Sequence, residues 1–140
     1  MLGILIGLAL TLVALPAPAQ TQQQNDWCFG TTTTDDQTIE GCNAVIQSGS
    51  VTGGNLAAAY FNRGLSYRHK DLLDSAISDY TQAIAITPND SDIYNNRGFA
   101  YEQKGFRDQA IADYRMAVRL KTDPNDTTAL DNLTRLGVTP

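Results

Sequence analysis

Few side chains in this 140-residue chain carry reactive chemistry, and their spacing argues for packing rather than catalysis. His69 is the only histidine, and with Cys28 and Cys42 it leaves too few ligands for a protein-built zinc site. Asp79 and Asp113 are candidates for paired carboxylates in acid–base work. They stand 34 residues apart, however, and each follows an arginine, Arg63 or Arg97, at the same distance. That recurrence predicts an Arg–Asp bridge inside each of two repeated units. No phosphate loop, nucleophile elbow or metal-ligand spacing is present. The residues therefore predict no catalytic, cofactor-binding or metal site, and no small-molecule substrate.

Composition narrows the function classes further. An apolar fraction of 42% with 18% charged residues belongs to a globular chain. The formal net charge of −5 argues against nucleic-acid binding, which needs a basic face to displace counterions. A chain of this length supports one modest domain with a short leader or tail.

The leader is legible by itself. Leu2 to Leu15 is apolar or small throughout and is followed by Pro16-Ala17-Pro18-Ala19 and a glutamine-rich stretch. A run of this length before a small-x-small site is the pattern of a secretory signal, while a spanning helix needs about 20 apolar residues. Residues 1–19 are thus expected to direct export to the periplasm or outside the cell, with Gln20 as the mature N-terminus. An uncleaved anchor is the alternative. In an oxidising compartment an even pair of cysteines predicts a Cys28–Cys42 disulfide.

The elements that position the paired residues emerge on shifting the chain by 34. Residues 57–90 laid on 91–124 match at Tyr60/Tyr94, Asn62/Asn96, Arg63/Arg97, Gly64/Gly98, Tyr67/Tyr101 and Lys70/Lys104. They match again at Asp74/Asp108, Ala76/Ala110, Ile77/Ile111, Asp79/Asp113, Tyr80/Tyr114 and Ala83/Ala117. A fixed period of this size means stacked supersecondary units. Tyr60, Gly64 and Tyr67 recur at helical spacing, as do Ala76, Ile77, Tyr80 and Ala83 after a polar break. The spacing predicts paired antiparallel helices, roughly 56–69 with 72–86 and 92–104 with 107–120. Pro88 ends the first unit.

Two units leave apolar faces open at both ends, so caps are expected. Ile39, Cys42, Val45 and Ile46 predict a cap helix from about Asp36 to Ser48, within a segment 36–56 that ends in a Gly/Ser turn. Leu130, Leu133 and Leu136 predict another in 125–140. Residues 20–35 read as a polar N-terminal segment.

The residues Tyr60, Gly64, Tyr67, Ala76, Tyr80, Ala83 and Pro88, with Tyr94, Gly98, Tyr101, Ala110, Tyr114 and Ala117, resemble the tetratricopeptide repeat (TPR) family. The resemblance implies an all-α solenoid of helix hairpins, like that of small exported bacterial TPR proteins. It also implies a non-catalytic scaffold that binds a protein or peptide on its inner face. Carrying the family's groove positions across gives Ala58, Phe61, Leu65, Arg68 and His69, then Asp92, Asn95, Phe99, Glu102 and Gln103. Where some members place a Lys and an Asn that grip a chaperone's terminal carboxylate, this chain has Phe61 and Leu65. The apolar Phe61, Leu65 and Phe99 are expected to face solvent as the contact strip. Two other uses of the fold stay open: self-association through the stack ends, and a membrane-tethered accessory role.

Overall fold

A computed structural model describes residues 17–139, with side chains from Thr21 onward. The segment expected to act as a signal, residues 1–19, lies outside the described residues apart from its last three positions. Seven helices follow in order: α1 (Ala17–Phe29), α2 (Asp35–Ser48), α3 (Gly53–His69), α4 (Leu73–Ile86), α5 (Ser91–Gln103), α6 (Arg107–Leu120) and α7 (Thr128–Arg135). No strand occurs among the described residues. No helix among them is long and apolar enough to cross a membrane.

The first helix of each hairpin packs against its own partner, and the second helix packs against the next hairpin. Successive first helices also touch, α1 with α3 and α3 with α5. These close approaches curve the stack, so α1, α3 and α5 form its inner layer. The core within each repeat is made by small residues that admit a large ring. Tyr80 and Tyr114 are fully buried beside Gly64 and Gly98. A Cβ on Gly64 would come within 2.8 Å of the Tyr80 ring, so any side chain there would push α3 and α4 apart. The turns repeat as well. The Leu72 amide donates to Tyr67 and that of Phe106 to Tyr101, while Asp71 and Gly105 both adopt positive φ.

Residues 20–35, a polar segment by sequence, are mostly helical: α1 and α2 make a hairpin of their own. Polar from Gln20 to Asp26, α1 lacks the apolar stripe that would have announced it. It is held instead by the Cys28–Cys42 disulfide, with Cα atoms 4.5 Å apart. Gly41 adds a close backbone approach to Gln24 and Cys28. The Asn62 side-chain amide donates to the Cys28 carbonyl at 2.9 Å, fixing α1 to α3. The other asparagine of the repeat, Asn96, donates to Asp92 in its own helix.

At the far end α7 covers the last hairpin with one face. Leu133 is fully buried against Ala110 and Tyr114.

Candidate functional site

The two Arg–Asp bridges are built alike. Arg63 donates through Nε and Nη2 to both oxygens of Asp79, each at 2.7 Å. Arg97 does the same to Asp113 at 2.7 and 2.8 Å. The aspartates are buried and the arginines mostly covered. Each guanidinium also lies over two tyrosine rings, Tyr60 and Tyr67 or Tyr94 and Tyr101. The remaining Nη1 reaches back one helix, from Arg63 to Asn43 and from Arg97 to Thr81. The hydrogen bond to Asp79 holds the Arg63 pKa above its ordinary value against the effect of burial. At Arg97 burial is the largest influence and opposes the charge, and Asp113 still outweighs it. These carboxylates are committed to structure. They join two helices of one unit and tie that unit to its predecessor.

The inner face of α3 and α5 holds the expected binding strip, in a more closed form than the sequence suggested. Phe61 and Leu65 are partly buried against the cluster of Ala57, Ala76, Tyr80 and Ile93, with the Phe61 ring 5.9 Å from that of Tyr80. Phe99 packs on the cluster of Ala110, Tyr114 and Leu133. The expectation that all three face solvent freely is therefore corrected: each gives one side to the core and one to the groove. The reason lies in the second helices, whose Tyr80 and Tyr114 are wide enough to reach beneath them. A cleft lined by Ala57, Ala58, Phe61, Thr87 and Ile93 opens at the N-terminal end of this strip.

The polar groove positions divide by partner. Asn95 accepts from Asn132 of α7 at 3.0 Å. Glu102 accepts from the Tyr114 hydroxyl at 2.8 Å and from both terminal nitrogens of Arg135. Pairing with Arg135 holds the Glu102 carboxyl below the usual range, so this contact stabilises at neutral pH and is lost as pH falls through that depressed value. His69 lies at the end of α3 and pairs with Asp35 of α2 at 3.0 Å, while Gln103 is exposed. Arg68 stands apart. Its guanidinium lies 5.2 Å from the centre of the Phe99 ring, and its buried Nε has no hydrogen-bond partner among the described residues. The buried Tyr80 hydroxyl has none either. Burial pushes that hydroxyl up to about 12, with the neighbouring Arg68 guanidinium opposing the rise through its N–H groups and its charge. Sequence reasoning selected Arg68 as a groove residue but not Tyr80, whose ring position marks it as core.

No group of histidine, cysteine and acidic side chains that could hold a metal occurs among the described residues.

Stacked antiparallel hairpins with a 34-residue period and a partly apolar inner face define a helical repeat scaffold. Family models described as "TPR repeat" and "Tetratricopeptide repeat" match residues 64–105 and 91–124. Residues 64–124 of this chain thus carry tetratricopeptide repeats. Among solved structures it is similar to the Arabidopsis OM64 TPR domain, with 23% identity, a TM-score of 0.68, and coverage of 86% of this chain and 93% of that one. It is also similar to the first TPR of Spaghetti (RPAP3) bound to the HSP90 peptide SRMEEVD, with 19% identity and a TM-score of 0.68. That likeness covers 86% of this chain and 89% of the other. A search of curated proteins finds no match.

Proposed function

We propose that this protein is a non-catalytic scaffold, exported to the cell envelope, that binds a peptide segment of another protein along the inner face of α3 and α5. The observation that carries this reading is the strip of Phe61, Leu65 and Phe99, half core and half groove, on the layer where successive first helices meet. Aromatic side chains at the centre of a groove concentrate binding energy. A neighbour of the same fold is itself bound to a peptide. The apolar, charge-free leader, Met1 to Ala19, and the Cys28–Cys42 disulfide support export, since such bonds persist in oxidising compartments.

The test is capture of the partner from the envelope fraction by the native chain and two variants. Phe61→Ala is expected to weaken capture about tenfold or more while costing only about 2 kcal/mol of stability, less than a full core truncation. Phe106→Ala, at an exposed ring in the α5–α6 turn, is expected to leave capture unchanged. Equal capture by both variants would refute the groove.

A further inference from the structure

The joint between α3 and α5 and the joint between α5 and α7 carry the same kind of cleft, and only the second contains a cation of the chain itself. Asp90 before α5 and Asp126 before α7 are equivalent. Each carboxylate accepts from the backbone amide two residues on, that of Asp92 or Thr128, at 3.0 Å. Thr87 and Lys121 are equivalent too, each standing directly after the second helix of its unit. At the second joint Asn95, Lys121, Asp126 and Ala129 line a cavity of only about 60 Å³. The Lys121 ammonium donates to the Asp126 carbonyl at 3.2 Å. The Thr128 hydrogen bonds, helped by the Lys121 charge, hold the Asp126 carboxyl below the usual range. At the first joint the short Thr87 stands in the lysine's place, its hydroxyl bonded to the Ala83 carbonyl. The cleft there is about 240 Å³, with walls of Ala57, Ala58, Phe61 and Ile93. Asp90 lines it as well, is exposed, and forms no ion pair with any described residue.

We infer that this first cleft takes a lysine side chain of the bound peptide, its methylene stem against Ala58, Phe61 and Ile93 and its ammonium on Asp90. A lysine stem covers apolar surface while its charged end stays near water, which fits apolar walls with one carboxylate at the edge. Asp90 Oδ1 already accepts from Asp92, so the free Oδ2 suits a point charge better than the planar fork of an arginine. A cation there also answers Asp92, whose carboxyl is held above the ordinary range by burial and by the charges of Asp90 and Asp126. This inference rests on the peptide-binding reading and names a side chain that the groove selects.

The experiment follows the Ile93 δ1 methyl signal by NMR in the isotope-labelled full chain, assigned by its loss in Ile93→Val. The probe is acetyl-Gly-Lys-Gly-amide, added up to about 50 mM, a range suited to a weak single contact. Its control is acetyl-Gly-norleucine-Gly-amide, which keeps the stem and lacks the charge. A saturable shift with the lysine peptide is expected. Asp90→Asn should weaken it about threefold while leaving the norleucine peptide unaffected. Asparagine caps a helix as well as aspartate does, so this variant keeps the start of α5. Thr87→Lys rebuilds the arrangement of the second joint and is expected to suppress the response. No saturable shift, or a lysine response indifferent to Asp90→Asn, would overturn the assignment. A response unchanged by Thr87→Lys would place the ligand outside the cleft and overturn it as well. Loss of partner capture on Phe61→Ala, with capture unchanged in Asp90→Asn, would remove this inference and leave the groove standing.

Discussion

Asp113→Ala is expected to destabilise the protein by about 3–5 kcal/mol, more than the double change of Arg97 and Asp113 to apolar residues of similar size. Arg97 is held under Tyr94 and Tyr101 and is only 17% exposed, so it cannot turn to water when its carboxylate is removed. Its burial cost then stands without the two hydrogen bonds that offset it. Replacing both residues removes the charge along with its partner. A double-mutant cycle by chemical denaturation should therefore show a coupling of about 2 kcal/mol or more. Coupling within error of zero would mean that the bridge contributes only geometry.

Replacing both Cys28 and Cys42 by Ala is expected to cost about 3 kcal/mol, the loop-closure value for a cross-link of this span. The loss should fall unevenly. Because α1 has no apolar stripe, it depends on the disulfide, the close approach at Gly41 and the Asn62 bond to the Cys28 carbonyl. Hydrogen exchange should then show α1 opening while α3 to α6 keep their protection. Uniform loss of protection would show that the first hairpin is needed by the whole stack. Two free thiols in protein purified without reductant would contradict the pairing itself.

This dependence also explains what the sequence made legible. The two complete hairpins could be read because each repeated side chain has a packing task that recurs with the period: Tyr80 beneath Gly64, Arg63 onto Asp79, and their counterparts. Helix α1 escaped because cross-links and main-chain contacts hold it, and these leave no periodic trace. The final helix was visible through its leucines. Its polar reach onto Asn95 and Glu102 was not, since Asn132 and Arg135 read as ordinary surface residues. The groove strip was located by its register, but its depth was misjudged. How far Phe61 and Phe99 sink depends on the tyrosines of the opposite helix, a tertiary matter.

The central claim is that a peptide lies along the inner face, and site-specific photo-crosslinking tests it most directly. Gln103 is exposed at the end of α5, and Gln82 is exposed on α4 in the outer layer. A benzophenone amino acid placed at Gln103 is expected to yield a discrete adduct with a partner in cells, and one placed at Gln82 to yield none. An adduct from Gln82 alone would place the partner on the outer layer and contradict the account.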